Sequence, residues 1–144
     1  MAGYDRGMLQ QTKDFAAQLG LLDAVSFPGY ISNEQKNRFA RELDIYICTN
    51  KIDNAPISII EMMALGMPIV TVDSGGIPFL VQHGHDCLMV RSGDSHAMAE
   101  KIVYLMNHPD VVQELAENAR KSAKRFGEEA VMEKWEALFK QLSN

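Results

Sequence analysis

The chain has 144 residues, enough for one domain with a real core and too few for two. Its 47% apolar and 23% charged residues are those of a globular protein, and a net charge of −5 supplies no basic stripe to neutralise nucleic-acid phosphates. No apolar run is long enough to span a bilayer, no signal peptide opens the chain, and two cysteines without a CxxC read as buried reduced thiols. These features predict a cytoplasmic protein with no nucleic-acid partner.

In chain order, Met1-Ala2 reads as the end of a strand that turns at Gly3. Leu9, Phe15, Ala16 and Leu19 then recur at helical spacing, with Gly20 as the stop. Val25-Ser26-Phe27 reads as a short strand. Ser32 to Gln35 has the form of a capping box and opens a helix through about Glu42. Asp44–Cys48 is rich in β-formers. A helix is predicted from Pro56 at its first position to Leu65, with Gly66 as cap. Pro68–Val72 is the most apolar strand and is expected at the centre of a parallel sheet covered on both faces. Ile77–His83 predicts a short helix and Cys87–Val90 the last strand. Asp94 or Ser95 caps a helix to about Asn107, and Pro109 starts another to about Phe126. A final helix, Glu129–Leu142, carries an apolar face of Val131, Trp135, Leu138, Phe139 and Leu142. Lys121, Lys124 and Arg125 read as a solvated helix end, and the nine methionines as core gap-fillers. Alternating strands and helices predict an α/β fold with a parallel sheet flanked by helices.

The segment Asp53-Asn54-Ala55-Pro56-Ile57-Ser58-Ile59-Ile60-Glu61 carries the chemistry. It sets two carboxylates eight positions apart across a helix start, with Glu61 about 7 Å along the axis at roughly 1.5 Å per residue. The free N–H groups of Ile57 and Ser58 lie between them at the positive end of the helix dipole. A ligand with hydroxyls at both ends and phosphate in the middle fits this pattern, and a nucleotide sugar is such a ligand. Gly75-Gly76, directly after the strongest strand, permit either close backbone approach to a ligand or a plain tight turn. His83 and His85 form an HxH that reads as a surface turn, since no third metal ligand is apparent.

These residues resemble the retaining glycosyltransferases of family 4, which have the GT-B architecture of two facing Rossmann-like domains. That family's pattern of Glu, seven residues, Glu, then Ala-Met-Ala-x-Gly-x-Pro-Val-Val and Gly-Gly-x-Pro is matched by Asp53, Glu61, the run Met62–Val70 and Gly75–Pro78. The likeness extends upstream over Leu19–Tyr30 and downstream over Gly84–Val90. Asp53 is one methylene shorter than the family's first Glu, and Phe79 stands where the family usually has Glu.

The resemblance implies a single, partial donor-binding domain over residues 1–144, the C-terminal half of a GT-B enzyme. It is expected to be trimmed at its N-terminus, lacking a first strand and helix with the Arg and Lys that clamp the diphosphate. The whole N-terminal acceptor domain is expected to be absent too. It further implies that Glu61 holds the ribose and Asp53 the transferred sugar. Asn54, Ala55, Ile57 and Ser58 would meet the phosphates, Gly29 and Tyr30 the base, and Gly75 and Gly76 would lie at the donor. The donor would be a nucleotide-diphosphate sugar, used with no cofactor and no metal. The partners implied are that donor and the acceptor domain of the same protein, with room for peripheral membrane association of the full-length protein. Two rivals stand beside this reading. One is a non-catalytic Rossmann-like nucleotide-binding or interaction module. The other is a fragment of a nucleotide-sugar epimerase, suggested by Asp73-Ser74-Gly75-Gly76.

Overall fold

The computed structural model describes residues 1–143, which fall into two compact units, Met1–Phe39 and the chain from Ala40 onward. In the first unit α1 spans Leu9–Gln18 and a single 3-10 turn spans Leu22–Ala24. Asp5 opens α1 by accepting the N–H groups of Gly7, Met8 and Leu9 at 2.7, 3.1 and 3.2 Å. Those bonds, that to Gly7 foremost, hold the Asp5 carboxyl below its ordinary range. The helix stops where expected, with Gly20 and Leu21 donating back to Ala17 and Ala16. α2, Asn33–Glu42, begins with the predicted capping box: Ser32 N–H donates to Gln35 Oε1 at 2.8 Å and Gln35 N–H to Ser32 Oγ at 3.2 Å.

Val25–Phe27 is not a strand. The segment is extended at Val25 but joins no ladder among the described residues, and Pro28 after it has no N–H to donate; the Met1 amino group donates to Ser26 O, and an isolated bridge joins Ala2 to Gly29. Phe15 and Leu19 of the predicted α1 face are exposed, and Ala16 is that helix's buried residue.

The second unit is built on a parallel sheet in the order β1 (Tyr46–Ile47), β2 (Ile69–Asp73), β3 (Leu88–Arg91). The register pairs Tyr46 with Ile69 and Val70 with Leu88. β2 is central, and its first four residues are buried, as expected for a strand covered on both faces. β1 is shorter than the predicted Asp44–Cys48, although the Cys48 N–H still reaches Val70 O at 3.0 Å. α3 (Ile57–Leu65) links β1 to β2 and packs on α6 (Pro109–Ala123); α5 (Ser95–Asn107) packs on β2 and β3. Asp94 is the residue that caps α5, accepting the Ala97 N–H at 2.9 Å. Ile59 and Met63 of α3, Ile69 and Val70 of β2, Ile77, Leu105 and Leu115 form the heart of the core.

Four expectations need correction. α4 covers Ile77–Leu80 and does not reach His83, because the Asp86 carboxylate takes the Gln82 N–H at 2.6 Å and the chain turns extended at Val81. The predicted helix to Phe126 is α6 followed by a 3-10 turn, Lys124–Phe126. Arg125 is no idle solvated cation: its Nη2 donates to Leu80 O at 2.6 Å, satisfying a carbonyl at the end of α4. Of the methionines, Met62, Met63, Met67 and Met98 are buried, while Met1, Met8, Met106 and Met132 are exposed.

The last helix, α7 (Glu128–Leu142), forms as predicted, yet none of its residues is buried. Both cysteines are free and buried, and burial pushes the Cys87 thiol up to about 12, with the Asp86 charge adding to it.

Candidate functional site

Because β1 and β2 run parallel, the loop from Cys48 to Pro56 and the turn Ser74–Gly76 leave the same C-terminal edge of the sheet. In open α/β sheets that edge, with the helix N-termini that follow it, is where ligands bind. The two segments are locked together. The Gly76 N–H donates to Asp53 O at 2.9 Å, and Ser74 Oγ donates to Lys51 O. A Cβ on Gly76 would come within 1.7 Å of Asn54 O, and one on Gly75 within 2.3 Å of Asp53 O. Gly75 also has φ +55°, a backbone that favours glycine. The glycine pair is therefore required by close approach, and what approaches is the Asp53–Asn54 backbone.

That contact aligns the Asp53 loop. Asp53 Oδ2 accepts from Asn50 Nδ2 at 2.8 Å, and Oδ1 accepts from the Ala55 N–H at 3.1 Å. The second bond closes an Asx turn two residues before the helix. Asp53 is thus not the N-cap of α3. Pro56 holds that position, extended at ψ 104°, one residue before its predicted place, and no side chain caps the helix. A carboxylate has about four lone-pair sites, so two accepted bonds leave half-buried Asp53 able to accept further donors.

Ile57 and Ser58 form the first turn of α3, where helix geometry leaves N–H groups without intrahelical acceptors. Ile57 is exposed. Ser58 Oγ accepts the hydroxyl of Tyr46, on β1, at 2.8 Å. Glu61 follows three residues later, on the same side of the helix as Ser58. It is half-buried among Ile59, Met62 and Met63, which anchor the opposite side in the core. The Tyr46 phenol is pushed up to about 12, chiefly by burial; the Ser58 bond opposes the shift, and Cys48 and, least, the Glu61 charge add to it. The Tyr46 phenol thus lies beside Ser58 and Cys48, with Glu61 a more distant neighbour.

Gly29 and Tyr30 belong to the first unit. Gly29 O accepts the Gly3 N–H at 2.8 Å and borders a cleft of about 310 Å³ lined also by Tyr4, Asp5, Arg6 and Phe27. The Tyr30 ring stacks on Tyr4, centroids 4.8 Å apart. In the HxH turn, His83 Nδ1 accepts the Met89 N–H at 2.9 Å, which gives that histidine a structural task.

The structure therefore brings Asp53, Asn54, Ala55, Gly75 and Gly76 together, with Ser58 and Glu61 on the helix that leaves this loop. Sequence reasoning missed Asn50, Ser74, Tyr46 and Tyr4. Asn50 could have been found from its place three residues before Asp53 in a polar loop, and Tyr46 as the single hydroxyl-bearing residue of an aliphatic strand.

Known proteins share this fold. The D-inositol 3-phosphate glycosyltransferase of Streptomyces coelicolor is 28% identical over 112 residues, 78% of this chain and 24% of that protein. Sucrose-phosphate synthase from Thermosynechococcus elongatus superposes with a TM-score of 0.86 at 24% identity, over 97% of this chain and 37% of its own. Anabaena HepE in complex with UDP-glucose gives 0.84 at 21% identity, over 99% and 40%. At these identities the two structural likenesses show the fold. The chain spans between 24% and 40% of the length of these three relatives. Residues 1–122, which include every candidate residue above, match the family described as Glycosyl transferases group 1, and the chain belongs to that family.

Proposed function

We propose that this chain is the donor-binding domain of a retaining glycosyltransferase of family 4 and GT-B architecture. The whole enzyme would move a hexosyl group from a nucleotide-diphosphate sugar to an acceptor hydroxyl held by a second, N-terminal domain. The observation that carries the reading is the Asp53–Glu61 segment, fixed at the C-terminal edge of the sheet by the Gly75–Gly76 turn in a group 1 glycosyltransferase. A solved structure of the same fold holds UDP-glucose, which supports the donor class.

In this reading Glu61 accepts the ribose hydroxyls as charge-assisted hydrogen bonds. The amides of Ile57 and Ser58, with the backbone of Asn54 and Ala55, meet the diphosphate and stabilise the charge that develops as it departs. Asp53, pre-oriented by Asn50 and by its own Asx turn, orients the transferred sugar. Gly29 and Tyr30 take the base. The family resemblance supports transfer without a metal or other cofactor. The absence of a helix long and apolar enough to cross a membrane, among the described residues, is compatible with a cytoplasmic enzyme.

A donor domain without the family's basic pair is expected to bind nucleotide sugars weakly and to transfer no sugar, because charged hydrogen bonds to phosphate are worth roughly 1.5–3 kcal/mol each. Calorimetric titration of UDP-, GDP- and ADP-sugars into the two-domain enzyme tests the assignment. Glu61→Gln should weaken donor binding by about tenfold or more with an unchanged melting temperature. Unchanged donor affinity in that variant would leave Glu61 a structural residue.

A further inference from the structure

We propose that Tyr46 is a positioning residue of the donor site: by donating its proton to Ser58 Oγ, it leaves the serine's own proton for the diphosphate. The inference rests on the donor-site reading above. A hydroxyl has one proton to donate and two lone pairs to accept with. Between a phenol and an alkyl hydroxyl, the phenol is the stronger acid and hence the donor, which agrees with the 2.8 Å bond from Tyr46 to Ser58. Burial keeps that phenol protonated far above neutral pH. Tyr46 is itself held in the sheet, its N–H bonded to Pro68 O at 2.9 Å. Strand β1 thus fixes the rotamer of a side chain twelve residues later, in the first turn of α3. With one lone pair filled by Tyr46, the Ser58 hydroxyl acts toward the ligand as a third donor beside the amides of Ile57 and Ser58. Glu61, one turn on, defines the ribose end of the same helical side.

The test uses the two-domain enzyme with the nucleoside diphosphate it binds best and the matching nucleoside, both measured by competition. Ser58→Ala should weaken the diphosphate by about tenfold, and Tyr46→Phe by about threefold or more, with nucleoside affinity unchanged. The double variant should be no weaker than Ser58→Ala alone, and Ser58→Thr should retain most of the affinity. Melting curves confirm that each variant is folded. Wild-type diphosphate affinity in Tyr46→Phe, additive losses in the double variant, or equal weakening of nucleoside and diphosphate would each reduce Tyr46 to a packing residue. If the wild-type enzyme binds no nucleoside diphosphate, the donor-site reading itself fails and this inference falls with it.

Discussion

Helices α3 and α7 carry the same kinds of apolar residue and end in opposite situations. In α3, Ile59, Met62 and Met63 are buried against β2 and α6, and the one charged residue, Glu61, is half-buried on the side that carries Ser58. α7 is the more regular amphipathic helix, with Trp135, Leu138, Phe139 and Leu142 on one stripe, yet these residues stay 50%, 42%, 58% and 74% exposed. Trp135 and Phe139 stack on each other, one turn apart, with centroids at 5.7 Å. An apolar stripe shows that a helix can be stabilised by packing. Whether it is packed depends on a partner whose surface matches it. A helix as apolar as α3, whose polar side is only Ser58 and Glu61, has no stable alternative to burying its other side.

The largest expected effect tests that contrast directly. Met63→Ala should cost about 2–5 kcal/mol, the range for emptying a sealed core position, because Met63 is fully buried. Trp135→Ala, half-exposed, should cost about 1 kcal/mol or less. Urea unfolding of both variants decides it; equal losses would mean that α7 is packed after all.

Next comes the loop that delivers α3. Gly76→Ala drives a Cβ into Asn54 O and should cost about 1–3 kcal/mol, as overpacking does, while also weakening donor binding. Gly127, the N-cap of α7, has φ −67° and a far looser 3.2 Å approach to Lys124 O, so Gly127→Ala should cost about 1 kcal/mol or less. Comparable losses at the two glycines would refute the claim that the Asp53 loop is locked and the α7 entrance is not.

A weaker effect lies in alkaline solution. Tyr46, beside α3, and Cys87, before β3, are both raised to about 12 in the folded protein, from 10.0 and 9.0. Above pH 9 the unfolded chain therefore binds fewer protons than the folded one, and stability falls as pH rises toward 12. Below pH 9 this contribution is complete. Tyr46→Phe should flatten the part of the decline above pH 10, read as melting temperature against pH. An unchanged slope would mean that the phenol is solvated.

The smallest effect is at α1, a helix held at its entrance by Asp5. Its lowered carboxyl contributes stability above its unfolded value of 3.8, lost as pH falls through the lower folded value. An NMR titration should place Asp5 below 3.8, and a higher midpoint would remove the cap.

Much of the local structure around the candidate site is legible in the sequence because its signals are local. The capping box of α2, the Asp94 cap, the central place of β2 and the Asp53–Glu61 spacing all depend on residues a few positions apart. The resemblance makes Asp53 a sugar ligand and leaves its local role open, and the structure adds an Asx turn that aligns its carboxylate without capping α3. The Gly75–Gly76 requirement was legible as a need for space. The occupant, the Asn54 backbone, lies more than twenty residues away in sequence, and no local pattern records it.

The sequence by itself determined the parallel α/β order, the position of nearly every helix and a place among the glycosyltransferases. Those follow from hydrophobic period, turn chemistry and motif spacing, which act over one or two turns of chain. Tertiary structure alone decided that Tyr46 serves Ser58, that Arg125 closes α4, that Val25–Phe27 pairs with no ladder, and that the stripe on α7 stays in solvent. Each depends on what a side chain or strand meets across the fold, and a hydrogen bond or a buried contact exists only when the second surface is there to complete it.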